Sequence, residues 1–253
     1  MTGASASWET LIPATRGCLP SGEPVQRTDP AGDFDSRISI MGVYPAARVR
    51  SIAVGSRRMN LPDRVERVSF EPGISASSNH LDRVYLDPLG LSRKQVLLFD
   101  LMPFFLANTR STGGRSMAGN VRAYEEQTRR LLGIEPRPPE TELVRLARSM
   151  PGNVARLENI LARSAARLLL TLGSEAAAFV RGGEYGAVNN RAKCLFYQEP
   201  VQLDVLGIRL RVVHLAHPGL LMTKKGRTAG WVDLHQSWCQ GAGRTLVAST
   251  LLG

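Results

Sequence analysis

The segment from Val212 to Met222 reads VVHLAHPGLLM. An apolar strand pattern runs straight into His217, Pro218 and Gly219, and three large apolar residues follow where polar turn residues are the rule. An imidazole held at a strand end by proline can donate or accept a hydrogen bond or a proton near neutral pH. A second apolar run, residues 95–99 (QVLLF), ends on Asp100, which offers only acceptors when ionised. A third, residues 37–41 (RISIM), ends on Gly42 and continues through Val43, Tyr44 and Pro45. The phenol of Tyr44 is a poor general base near neutral pH, but its ring can stack or wall a pocket. A fourth, residues 168–172 (LLLTL), ends on Gly173 and Ser174 at a helix start. Together these residues can hold a polar ligand and polarise one of its bonds. His214, one residue before the end of its run, reads as structural, and His80 and His235 have no context that favours function.

The elements that must position them alternate. Short apolar strands are separated by helical patterns, as in a parallel sheet covered by helices on both faces. The spacing predicts helices over residues 116–132, 141–150 and 231–239, a further helix capped by Asn153, and another over 175–180. Residues 209–215 (RLRVVHL) form the last clear strand. Residues 49–54 and 65–70 alternate weakly around Gly55-Ser56 and a proline, and read as an antiparallel insertion within residues 48–75. Residues 1–36, rich in Gly, Pro, Ser and Thr, read as an irregular arm, and residues 37–253 as a single α/β domain. In such sheets ligands bind beyond the carboxyl ends of the strands. Loops 42–47, 100–110, 173–174 and 216–222 should therefore lie side by side on one edge.

The 253 residues suffice for one large domain with a real core. The formal net charge is +10, almost all of the excess from arginine; the lysines are Lys94, Lys193, Lys224 and Lys225. A guanidinium fork matches phosphate geometry, so a polyanionic partner such as nucleic acid is one expectation; a general bias towards arginine is the other. Cys18, Cys194 and Cys239 are odd in number and far apart. That argues against a disulfide framework or a metal site and fits a reducing cytoplasm. The start, MTGASASWETLIP, lacks the basic-then-apolar pattern of a secretory signal, and no run approaches the roughly 20 apolar residues that span a bilayer.

A first strand ending in G-x-x-P, a middle strand–Gly–helix (LLLTLGSEAAAF) and a last strand ending in H-P with apolar residues behind it, in that order, resemble the uracil-DNA glycosylase superfamily. The resemblance runs from about residue 37 to 222, with a gap across the insertion. It implies a three-layer α/β/α domain with a four-stranded parallel core sheet in the order 2-1-3-4. It implies a monomeric protein that binds DNA, flips one nucleotide out of the stack and hydrolyses its N-glycosidic bond without metal or cofactor. In the family, the histidine of the H-P motif donates a hydrogen bond to the leaving base; its match is His217. An apolar residue just after it wedges into the duplex; its match is Leu221, beside Leu220 and Met222 on the loop begun by Pro218 and Gly219. This would explain why apolar residues follow the histidine; the alternatives are that His217 is a structural histidine capping the strand end and that Leu220 to Met222 pack under the C-terminal helix.

Two departures bear on the chemistry. Uracil-specific members carry an aspartate or asparagine in the G-x-x-P loop to position the attacking water, where this chain has Tyr44. The strand matching QVLLFD ends there in an asparagine that reads the uracil edge, where this chain has Asp100. An ionised aspartate would set negative charge against a base oxygen, which makes uracil a doubtful substrate. Asp100 could instead accept from an exocyclic amine, activate water, or be a structural carboxylate. Phe104 and Phe105 could stack on a flipped base or belong to the core. Gly42, Pro45 and Ser174 would complete the base pocket. Arg48, Arg110, Arg115, Lys224 and Lys225 fall at or after the loops and would meet phosphates, which puts the basic surface on the His217 edge. The alternatives are a non-catalytic nucleic-acid-binding protein and a hydrolase of free nucleosides or nucleotides.

Overall fold

A computed structural model of the chain describes residues 27–54, 57–105 and 140–253. The expected helix over 116–132, and with it Arg110 and Arg115, lies outside the described residues, as does the arm before residue 27.

The strands are β1 (Ala31–Gly32), β2 (Ile38–Gly42), β3 (Ala47–Val54), β4 (Arg57–Val65), β5 (Leu97–Asp100), β6 (Leu168–Leu172), β7 (Val201–Val205) and β8 (Ile208–Leu215). Six of them form one mixed sheet in the order β1-β5-β2-β6-β8-β7. The inner strands β5, β2, β6 and β8 run parallel, and β1 and β7 pair antiparallel at the two edges. The sheet is thus wider than the four parallel strands expected. β7 (VQLDV), unread in the sequence despite its apolar–polar alternation, is mostly exposed, as an edge strand can be. β1 comes from the segment read as an irregular arm. There the Thr28 amide donates to the Pro103 carbonyl at 2.6 Å and Ala31 stands opposite Leu98.

β2, β5 and β6 are buried at every position, which is why they read as largely apolar runs, with Ser39 and Thr171 buried among them. β3 and β4 form a separate two-stranded antiparallel sheet, so an insertion is present. Its second strand is residues 57–65, not 65–70. Residues 66–70 turn away from that strand and fold against the ends of β2 and β5.

The helices are α1 (Ala76–Leu81), continued by a π-helical turn Asp82–Leu86 and a last turn Asp87–Leu89, then α2 (Glu140–Ser149), α3 (Asn153–Arg163) and α4 (Ser174–Val180). They are followed by α5 (Tyr185–Asn189), α6 (Ala192–Leu195), α7 (Pro218–Leu221), α8 (Lys224–Thr228), α9 (Trp231–Gln240) and α10 (Ala242–Leu252). Leu157, Ile160 and Leu161 make the buried stripe of α3. Asn153 is not its cap. Gly152, at φ 72°, takes that place, and Asn153 is fully buried with its amide donating to the Leu101 and Ala147 carbonyls at 3.1 and 2.8 Å. Among the described residues no helix is long and apolar enough to cross a membrane.

Candidate functional site

The loop starts singled out in the sequence come together. Gly42 stands opposite Asp100, and the β2–β5 pairing continues past both strands: the Leu101 amide donates to Gly42 O at 3.0 Å and the Met102 amide to Val43 O at 2.9 Å. On the other side, Leu172 pairs with Leu215, and the Gly173 amide donates to Leu215 O at 2.9 Å. A methyl group placed on Gly173 would sit 3.5 Å from Val43 Cγ2 and 3.8 Å from His217 Cβ. Gly173 has φ 98°, a backbone that side chains disfavour, so the turn from β6 into α4 needs glycine. Ser174, the first residue of α4, is half-buried and shares a 3.1 Å hydrogen bond with Asn189.

His217 caps α7. Its Nδ1 accepts from the Gly219 amide at 3.1 Å, so the ring proton sits on Nε2. Burial pushes the pKa down to about 4. At neutral pH the side chain is an uncharged imidazole whose Nε2–H has no hydrogen-bond partner among the described residues. The chain leading to it is clamped. The Tyr85 hydroxyl donates to the Ala216 carbonyl, the Ala216 amide donates to the Tyr197 hydroxyl at 3.2 Å, and the two hydroxyls are 3.0 Å apart. Both peptide groups of Ala216 are thereby satisfied without a strand neighbour. Tyr197 is held at φ 60° and packs against Trp231, His235 and Trp238. His214 is buried, 2.8 Å from the Thr171 hydroxyl, and kept neutral by burial and by Arg181.

Asp100 is 3% exposed. Its carboxyl lies over Gly42, where a methyl group would come 2.3 Å from Oδ1 and 2.6 Å from Phe70 Cζ. Ser69 stands close enough to favour the charged form, while Oδ2 has no hydrogen-bond partner among the described residues. The nearby cation, Arg156, spends Nη2 on the backbone carbonyls of Asp100 and Leu101, at 2.8 and 2.9 Å, and Nε on Asn153 Oδ1 at 3.1 Å. Burial therefore dominates and raises the Asp100 pKa to about 7, against the lowering pull of Ser69 and Arg156.

Sequence reasoning missed Glu66. It is 3% exposed and clamps the loop after β2: its Oε2 accepts from the Ala46 amide at 2.9 Å and its own amide donates to Ala46 O at 3.0 Å. Burial and the Asp100 charge raise its pKa to about 8. Two carboxyls thus share the edge of β2 and β5, short of compensating cations. One signal was in the sequence: in RVERVSF the alternation sets Glu66 on the same side as Val68 and Phe70, an odd place for a solvated acid.

The buried titratable groups imply a pH dependence of stability. Asp100 and Glu66 have folded pKa values above their ordinary 3.8 and 4.5, so the folded state holds protons that the unfolded state releases, and stability falls as pH rises from about 4 to about 8. His214, His217 and His235 are depressed from 6.5, so stability also falls as pH drops below about 6.5. The melting temperature should peak between about pH 6 and 7. Asp100→Asn should flatten the alkaline side, where the carboxyl pair contributes on the order of a few kcal/mol. A series of thermal melts across this range checks both statements; a flat alkaline limb in the parent would contradict them.

Of the other expected site residues, Tyr44 is half-buried and Pro45 buried in the loop that Glu66 pins. Phe104 and Phe105 are 2% and 9% exposed, in the core rather than on a surface. The aromatic ring placed against Asp100 is Phe70, at φ 58°. The loop after His217 is not the exposed apolar strip expected. It forms α7, which buries Pro218 and Leu221 (7% exposed) and half-buries Gly219 and Leu220. A helical turn hides residues one turn apart on the same side, and Leu221 packs inward with Pro218. Met222 is the exposed member, at 38%, with its sulfur 3.8 Å from Arg83 Nη2.

Lys224, Lys225 and Arg227 are exposed on α8, beside α7, and Arg48 is exposed at the start of β3. Basic charge is not confined to this edge. Arg167, Arg209 and Arg211 line a hollow of about 470 Å³ at the beginnings of β6 and β8, the opposite end of the sheet. Among the described residues no group of three His, Cys, Asp or Glu side chains could hold a metal ion. Comparison of the sequence with models of known families and with curated proteins finds no match.

Proposed function

We propose that the protein is a base-excision glycosylase of the uracil-DNA glycosylase type, a three-layer α/β/α domain that binds DNA and hydrolyses the N-glycosidic bond of a flipped, damaged or modified base. The observation that carries this reading is the meeting of His217, Gly173, Val43, Gly42 and Asp100 at the carboxyl ends of four parallel strands. The order of those strands, β5-β2-β6-β8, supports it, being 2-1-3-4 when they are counted along the chain.

Cleavage of the bond leaves an oxocarbenium-like sugar and a departing base that carries the bonding electron pair. The Nε2–H of neutral His217 donates a hydrogen bond to the base oxygen where that charge gathers. Water adds at the sugar carbon, and its proton passes to solvent. Tyr44 shapes the pocket wall. Lys224, Lys225 and Arg48 meet the backbone phosphates, and the apolar residue that enters the vacated stack is Met222 rather than Leu221.

A second reading, hydrolysis of free nucleosides or nucleotides, is favoured by one observation: the residue matched to the wedge, Leu221, is buried. One experiment separates them. Duplexes carrying single altered bases, and the corresponding free nucleosides, are incubated with enzyme in excess, and duplex affinity is measured at several salt concentrations. The DNA reading expects base release from a duplex and an affinity that falls steeply with salt. Release from nucleosides alone, with no salt-dependent duplex binding, establishes the second reading. Salt-dependent binding without release of any base leaves a non-catalytic DNA-binding protein.

A further inference from the structure

We infer that the hollow at the beginnings of β6 and β8 is a phosphate-binding site, in which Arg167, Arg209 and Arg211 take a ligand carrying two or more linked phosphates. The site lies apart from the His217 edge and does not depend on the glycosylase reading.

The sheet itself gathers the three arginines. β6 and β8 pair with Leu168 opposite Arg211, and the Arg211 amide donates to Arg167 O at 3.2 Å. Arg209 stands two residues before Arg211 on β8, so both belong to the same face of the strand. Three guanidiniums thus line one hollow of about 470 Å³, the size of a small-ligand site. Among the described residues no acid lines it, and none of the three is in an ion pair. The acid that register sets opposite Arg209 is Asp204; its Oδ1 accepts from the Gly207 amide at 2.8 Å, and it lines a separate hollow with Arg148 and Arg181. Like charges crowded together cost free energy until a counter-charge joins them.

Helix capping explains only part of the cluster. α10 ends here, and Arg37 Nη1 donates to Leu251 O at 3.3 Å and Arg167 Nη1 to Gly253 O at 2.6 Å, while Arg211 Nη2 donates to Thr250 Oγ1 at 2.7 Å. A guanidinium has five donors, so one such bond fixes Arg167 or Arg211 in place and leaves donors over. The Arg209 side chain is exposed and has no hydrogen-bond partner among the described residues. Against three positive charges stands about half a negative charge from the helix end. A carboxylate at Gly253 would add one more and still leave the hollow positive.

The chemistry of the lining selects the ligand. The Ser249 and Thr250 hydroxyls donate back to Leu246 O at 2.9 and 2.8 Å, so the donors left to a ligand are guanidinium N–H groups and the Gln202 carboxamide. A lining of forked donors with several positive charges matches linked phosphates better than a single carboxylate. The eight residues of β8 set the hollow roughly 20 Å from the His217 edge, at about 3.3 Å per residue. A ligand of nucleotide size held here therefore leaves that edge open.

The test is calorimetric titration of the full chain at low salt with tripolyphosphate, and separately with a short single-stranded oligonucleotide. Saturable binding is expected, and Arg209→Gln with Arg211→Gln should weaken it at least tenfold. Lys224→Gln with Lys225→Gln removes the same charge on the His217 edge and should change tripolyphosphate affinity less than twofold. Arg209→Gln alone, whose side chain bonds to no described residue, should keep the parent melting temperature and still weaken binding at least threefold, which separates lost binding from lost folding. Arginine-dependent binding of tripolyphosphate marks a free polyphosphate or nucleotide as the source of the phosphates. The same dependence seen with the oligonucleotide alone marks a nucleic-acid backbone. Equal weakening of tripolyphosphate binding by the arginine and lysine pairs, or no saturable binding of either probe, overturns the inference.

Discussion

His217→Ala should lower single-turnover base release on the order of a hundred- to a thousand-fold while duplex affinity changes little. Removing one preorganised donor to a developing oxyanion typically costs that much. The imidazole is prepared for the task in two respects. The Gly219 amide occupies Nδ1, which fixes the ring proton on Nε2, and burial keeps the ring neutral. A neutral donor binds the departing anion without first drawing charge into the ground state. The backbone behind it is fixed by the tyrosine pair on Ala216. The substitution also removes the cap of α7, which costs about 1 kcal/mol of stability. That loss is separable: His217→Asn keeps a capping side chain and should recover the melting temperature without recovering the rate. The check is single-turnover release at saturating enzyme with thermal melts in parallel. A rate loss below tenfold in both variants would remove His217 from the chemistry and leave it as a helix cap.

Much of this arrangement was legible in the sequence because the inner sheet is buried on both faces. Residues 37–41, 95–99 and 168–172 read as short, largely apolar runs, and the strands lie within two residues of those bounds. A strand end followed by Gly or by His-Pro then marked where each loop starts. What did not show is of a different kind. β7 is an exposed edge strand of polar alternation, and β1 has two residues. β1 is too short to leave a hydrophobic signature, and the Val-Gln-Leu-Asp-Val alternation of β7 is a brief one. Leu221 was misplaced because a four-residue helix is too short to display a period, yet it still decides which apolar residue turns inward. Asn153 was read as a cap from its position before an apolar stripe, whereas its side chain is used on carbonyls 52 and 6 residues away in the chain. Glu66, Ser69 and Phe70 reach Asp100 from a segment without regular structure, and only tertiary contact reveals them. The carboxyl pair is a product of folding rather than of any motif.

Gly42→Ala should damage this site more than any comparable surface change, although it adds one methyl group. The backbone is not the reason, since Gly42 is a regular β2 residue outside the positive-φ set. The methyl group would meet Asp100 Oδ1 at 2.3 Å and Phe70 Cζ at 2.6 Å, closer than any real contact. Neither neighbour can retreat easily. Asp100 is in register with Gly42 itself and has its carbonyl held by Arg156. Phe70 sits at φ 58° with its carbonyl held by Arg93 Nη1 at 2.6 Å. Overpacking of this kind typically costs about 1–3 kcal/mol. The functional loss should be larger than the stability loss, because the relief of least resistance is rotation of the Asp100 carboxyl away from Gly42. A double-mutant cycle separates the two effects. Asp100→Ala placed on Gly42→Ala removes the 2.3 Å clash and should restore part of the lost melting temperature, while base release stays absent. If the two substitutions instead destabilise additively, the methyl group is being accommodated elsewhere. Asp100 would then not be the atom that requires glycine at this position.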